Sequence, residues 1–154
     1  MLPASISARL NTQHETILSF ISGDEASLRK RSNPDKWSLY ENFVHLAAYQ
    51  PVFLNRLKRV LNETDSPVFD IYFADKDPSF SQCLTLHKDE LWKQVKEQRE
   101  ELINYISSLS DAQLLKTGIH QRYGVFTISD WTEFFLLHEA HHLFTMFMLK
   151  HGNR

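Results

Sequence analysis

From Ile128 to Leu149 one set of residues recurs at steps of 3, 4, 3, 4, 3 and 4: Ile128, Trp131, Phe135, His138, His142, Thr145 and Leu149. Such alternation lays every one of these side chains on a single stripe of an α-helix, the seam by which a bundle helix packs. Two central positions of the seam are histidines. The rest of the segment, including Phe134, Leu136, Leu137, Leu143, Phe144, Met146, Phe147 and Met148, is apolar nearly all round. A helix of this kind sits centrally in its own domain or is covered by a partner. Because each helix of a four-helix bundle keeps an outer face, a homodimer is expected.

Three further segments carry helical spacing. Ile6, Leu10, Ile17 and Ile21 form a stripe whose gap is filled by His14. A second helix starts at Ser38, where Ser38 and Glu41 make the S-x-x-E capping box. It continues through Phe43, Leu46, Tyr49, Phe53, Leu57 and Val60, with Pro51 expected to kink or split it. A third is expected from about Gln82 to Leu109 on the stripe of Leu84, Leu91, Val95, Leu102, Ile106 and Leu109. Ser110 caps one more turn, and Thr127, three residues before Asp130, starts the last helix, which His151-Gly152 ends. The stretch 62–80, NETDSPVFDIYFADKDPSF, reads as an ordered loop, since VFDIYF has no evident partner strand, and KTGIHQRYGVF reads as a link. Four glycines and five prolines in 154 residues disfavour a turn-rich β architecture. The expected fold is all-α: an up-down four-helix bundle with a long loop after the second helix, in one domain spanning 1–154.

Composition narrows the function classes. With 42% hydrophobic and 23% charged residues the chain is globular rather than disordered. Seventeen basic against nineteen acidic residues give a formal charge of −2, leaving no basic surplus for nucleic acid or an anionic membrane surface. No apolar run reaches the roughly 18 residues of a membrane span. The N-terminus lacks the basic-then-apolar order of a signal peptide, and Cys83 is the single cysteine, so a cytoplasmic protein is expected.

The letters HEAHH place His138, Glu139 and His142 in an H-E-x-x-H pattern, the zinc-metalloprotease signature when it lies on a helix. A metzincin needs a histidine six residues further on, where Met148 stands, and no glutamate follows His142 to serve as a thermolysin-type third ligand. A protease is therefore not expected. Histidines four apart have Cβ atoms about 5–6 Å apart and point the same way, so two imidazoles can converge on one ion. The third ligand must come from another helix. His45, two turns after the cap, is the first candidate and His14 the reserve. Buried imidazoles without partners are costly, about 1–3 kcal/mol each, and either a metal or a dense polar network removes that cost. Glu139 lies about 100° around the helix from His138 and is a weak candidate for a general base. His141, on a second stripe, is a weak candidate for a proton shuttle.

The residues also resemble a known family. KWSLYENFVHLAAYQ at 36–50 is similar to a W-S-x-x-E-x-x-x-H-L pattern through Trp37, Ser38, Glu41, His45 and Leu46. His120, Gly124, Thr127 and Trp131, followed by His138, Glu139 and His142, are similar to H-x-x-x-G-x-x-T-x-x-x-W with H-E-x-x-H. Together they resemble the DinB-like (YfiT-like) family of small four-helix-bundle metalloproteins. The resemblance implies a divalent metal, zinc or nickel, on His45, His138 and His142. It also implies a homodimer and transfer of a low-molecular-weight thiol to a small electrophilic substrate. Metal-dependent hydrolysis of a small substrate is the alternative, as is a non-enzymatic binding or stress-response protein stabilised by its metal.

Overall fold

The computed structural model describes residues 1–152. The first bundle helix is built in two pieces, α1 (Ala4–Thr12) and α2 (Thr16–Phe20), joined by a 3-10 turn at Gln13–Glu15. Ile6, Leu10, His14, Ile17 and Phe20 face inward along it. A short helix α3 (Glu25–Arg29) leads to the second bundle helix, α4 (Leu39–Asn62), started by the Ser38–Glu41 capping box. Pro51 does not split α4, which runs unbroken through it. The proline ring lies on the exposed side of the helix.

The expected third helix is two helices, α5 (Pro78–Leu84) and α6 (Lys88–Ser107). Asp77 caps α5, its Oδ1 accepting from the Ser79 N–H at 2.8 Å, and His87 with Glu90 caps α6. The break between them is held from outside. Arg29 donates to the carbonyls of Leu84 and Leu86 at 2.8 and 2.7 Å, and the Tyr40 hydroxyl donates to Leu86 at 2.5 Å. A continuous helix would have bonded those carbonyls internally. The one-turn helix α7 (Asp111–Leu114), capped by Ser110, leads on to the last bundle helix, α8 (Ile128–His151), which begins at Thr127 as expected.

The two segments read as loop and link instead pair. β1 (Val68–Phe69) runs parallel to β2 (Thr117–His120), which forms an antiparallel hairpin with β3 (Gly124–Thr127). The sheet is small, and the class is mainly all-α. Its turn is built from the side chain of His120, whose Nδ1 accepts from the N–H groups of Arg122 and Tyr123 at 3.1 and 3.3 Å, and from Gly124, whose φ of 87° suits glycine.

Within the bundle α4 is central, packing on α8 and α6, while α1 and α2 lie against α8. The sheet is pinned to this frame at Trp131, whose ring meets Phe69 edge-on at 5.5 Å. The outer face of α8 exposes Leu137, Phe144, Phe147 and Met148. Among the described residues no helix is long and apolar enough to cross a membrane.

Gly118 sits where the sheet closes on the bundle: a Cβ there would lie 2.8 Å from both Phe69 Cε2 and Val60 Cγ2. Gly118→Ala is expected to destabilise the protein by about 1–3 kcal/mol through overpacking, read as a lowered urea midpoint with an unchanged slope.

Candidate metal centre

α4 carries Asn42, His45 and Tyr49 on its face toward α8, and α8 answers with His138 and His142. His45 Nε2 lies 3.0 Å from His138 Nε2. One ring nitrogen from each of His45, His138 and His142 falls within 4.8 Å of the other two. Nitrogens held at 2.0–2.1 Å on one tetrahedral ion sit about 3.3 Å apart, so small ring movements suffice to bring this donor set onto a common ion.

Ring protonation suits a ligand role. The Asn42 Nδ2 donates to the Ser38 carbonyl at 2.8 Å, which turns Oδ1 toward His142. Oδ1 accepts from His142 Nδ1 at 2.8 Å, so the proton sits on Nδ1 and Nε2 presents a lone pair. The chain that fixes this tautomer starts at the helix cap itself. Behind His45 and His138 the Nδ1 atoms are buried without a partner among the described residues, so no contact there forbids a lone pair on either Nε2. Burial pushes His45 down to a pKa of about 3, with His138 adding to the effect. Burial, then the charges of His141 and Arg56, takes His138 to about 4. Burial, then the neighbouring His45, His138 and His141, takes His142 to about 2. All three are neutral at physiological pH, the form that binds metal.

An aromatic wall encloses the three rings. Trp37 lies 5.1 Å from His45 and stacks on His142 at 6.1 Å, Tyr49 stacks on His45 at 6.1 Å, and Tyr72 sits 5.6 Å from His45. The Tyr72 hydroxyl donates to Asp77 Oδ2 at 2.7 Å, tying the loop before α5 to the site. A cavity of about 170 Å³ opens beside His45 and His138, walled by Tyr49, Tyr72, Arg56, His120, Arg122 and Phe134 among others.

Other sequence candidates lie elsewhere. Glu139, the weak candidate base, is 2% exposed and forms a buried ion pair with Arg99, itself 1% exposed. It also accepts from Gln13 Nε2 at 3.0 Å, and it is not among the groups that meet at the imidazole cluster. Its position one residue after His138 turns it toward α1 and α6. His14, the reserve ligand, is buried against Trp92 with ring centroids 6.0 Å apart and is likewise outside the cluster. Burial and the charge of Arg99 push its pKa down to about 4. His141 is exposed, its ring 5.3 Å from that of His142. Cys83 is a buried free thiol.

Sequence reasoning passed over Asn42, Arg56, Tyr72 and Arg122. Asn42 carried one usable signal, a polar residue one turn before His45 on the same apolar stripe; Tyr72 and Arg122 are brought in by loop and hairpin, and Arg56 lies on α4 among residues that read as solvated.

The family follows from this layout together with the sequence match. A model of the DinB superfamily matches residues 8–146. The chain belongs to the DinB superfamily. Among solved structures, YfiT from Bacillus subtilis, described as a probable metal-dependent hydrolase with an unusual four-helix bundle topology, superposes with a TM-score of 0.81 at 16% identity. The match covers 94% of this chain and 83% of that one. The mycothiol-dependent maleylpyruvate isomerase matches with a TM-score of 0.75 at 13% identity, over 94% of this chain and 61% of that protein. The four-helix bundle protein TT2238 gives 0.67 at 18% identity, over 92% and 95% of the two chains. At these identities the likeness is one of fold. No curated protein sequence matches the chain.

Asn42→Ala removes the acceptor that fixes the His142 tautomer. It is expected to weaken zinc binding about 10–100-fold, measured by calorimetric titration of the apo-protein, with the helical circular dichroism preserved.

Proposed function

We propose that this protein is a metal-dependent enzyme that transfers a low-molecular-weight thiol to a small electrophilic substrate, at a divalent ion held by His45, His138 and His142. The observation that carries the reading is the convergence of three neutral imidazoles from α4 and α8 beside a small cavity. Three-histidine donor sets suit zinc or nickel. A divalent ion with three protein ligands keeps a further position open and lowers the pKa of a thiol or water bound there, supplying a nucleophile near neutral pH.

The chain's own residues do the rest. Asn42 holds the His142 ring in one tautomer. Trp37, Tyr49 and Tyr72 limit the water around the imidazoles and so strengthen every electrostatic contact between them. The cavity is of a size that suits a small-molecule substrate.

Hydrolysis is the second reading, favoured by the likeness in fold to a protein described as a probable metal-dependent hydrolase. It uses the same residues with water in place of the thiol. A metal that only braces α4 against α8 is the non-enzymatic alternative, to be recognised by a closed shell of four protein ligands. The single buried thiol, Cys83, fits a reducing compartment such as the cytoplasm. A second copy of the chain is the partner we assign to the exposed apolar face of α8.

Metal-loaded protein incubated with monochlorobimane is expected to consume it only when a low-molecular-weight thiol is added, and His45→Ala is expected to abolish this above the uncatalysed rate. Equal conversion of an ester substrate with and without thiol would instead establish hydrolysis. Light scattering at micromolar concentration is expected to give twice the chain mass, and Phe144→Glu to return it to the monomer.

A further inference from the structure

One wall of the cavity beside the imidazoles is cationic and lacks a counter-ion. Arg56, on α4, is only 8% exposed. A buried guanidinium is ordinarily matched by a carboxylate, because an uncompensated charge in the interior is expensive. Arg56 has none within ion-pair distance among the described residues. Its Nη2 donates to the Asp70 carbonyl at 2.7 Å and its Nη1 to the Tyr49 hydroxyl at 3.5 Å. Two of its five N–H groups are thereby engaged. Its guanidinium lies near the faces of Phe69 and Trp131, at 5.4 and 5.8 Å, which orient the group without neutralising it.

A second cation stands on the same cavity. Arg122, at the tip of the β2–β3 hairpin, lines it together with Arg56 and has no carboxylate partner among the described residues. His120 lines the same cavity. Its Nδ1 accepts from the Arg122 and Tyr123 N–H groups, so its proton is on Nε2, and that nitrogen remains a free donor. Burial, then the charges of Arg56 and Arg122, lowers the His120 pKa and keeps the ring neutral. No carboxylate is among the residues that line the cavity. Asp77 accepts from Tyr72 and Ser79, and Glu139 is paired with Arg99.

We propose that Arg56 and Arg122, with His120 Nε2 on the same cavity, form an anion subsite that holds a carboxylate of the substrate and points the rest of the molecule at His45 and His138. The substrate class is thereby narrowed to small organic acids. The proposal rests on the metal-site reading only for what is done to the bound molecule; recognition itself belongs to the two guanidinium groups. Planar guanidinium groups match a carboxylate through paired N–H donors, and the aromatic rings of Tyr49 and Phe134 on the same cavity accept a flat, apolar body. Arg56 also tethers the strand after α4 through the Asp70 carbonyl, a structural duty that the hairpin residue Arg122 does not share.

The test uses benzoate and its neutral isostere benzamide, titrated calorimetrically into full-length protein freed of metal by dialysis against a chelator. Without metal, carboxylate coordination to an ion cannot imitate the effect. Benzoate is expected to bind at least about tenfold more tightly than benzamide, and the preference to shrink as salt is raised. Arg122→Gln, on an exposed turn, is expected to cut the preference to less than about threefold with an unchanged melting temperature, and Arg56→Gln to do the same where it folds. Equal binding of the two probes, or a benzoate preference that survives Arg122→Gln, would overturn the subsite. Elemental analysis of protein purified without chelator or nickel resin judges the metal site separately. A chain without stoichiometric metal that still selects benzoate refutes the proposed chemistry and leaves the subsite standing.

Discussion

Arg99 and Glu139 meet inside the bundle, from α6 and α8, with almost no solvent contact. Arg99 also donates to Gln50 Oε1 at 2.7 Å and to the Leu10 carbonyl at 3.2 Å, and Gln13 donates to Glu139. This network therefore touches all four bundle helices. It matters most for α8, whose apolar residues surround the helix, so that hydrophobic burial alone specifies its rotation poorly. A rotation of one residue, about 100°, would strand the carboxylate in an apolar wall. Stranding one partner of a buried pair costs about 3–5 kcal/mol, comparable to a large part of a domain's stability. The ion pair and its hydrogen bonds thus supply the orientation that the apolar surface leaves open.

Once α8 is held with Glu139 toward α1 and α6, His138 and His142 must face α4. There the spacing of Asn42, His45 and Tyr49, three and then four residues, puts an amide, an imidazole and a phenol on one stripe. The polar groups are graded by their surroundings. Those on the α6 side are charged and mutually paired, whereas those on the α4 side are neutral and carry free lone pairs. The first arrangement holds the helices together; the second is suited to a cation that the chain does not itself provide.

Much of this was legible in the residues. Capping boxes located the starts of α4 and α8, and the seam of α8 with the four-residue histidine spacing located the imidazole pair, beside which the structure places a ring nitrogen of His45. What escaped is non-local. The break before α6 depends on Arg29 and Tyr40, more than forty residues away, taking carbonyls that a local reading assigns to a continuing helix. The pairing of Val68 with Ile119 joins strands of two and four residues, too short to show alternation. Of the two outcomes expected at Pro51, a split does not occur, since α4 continues through it with the ring on the exposed side. Arg56 and Arg99 look in sequence like solvated helix residues, and only the packing shows them buried.

The H-E-x-x-H string illustrates why a motif has meaning only through its frame. In a metalloprotease its glutamate works at the metal-bound water. Here the same letter, one residue after His138, is turned away and bound to Arg99, so the pattern divides into two ligand candidates and one structural anion. The preceding motif divides in the same way. His120 and Gly124 shape the hairpin turn, Thr127 caps α8, and Trp131 clamps the sheet through Phe69. These four residues hold the turn that carries Arg122 to the edge of the cavity and fix where α8 begins, so the register of His138 and His142 against α4 is set from the same segment that closes the cavity above them.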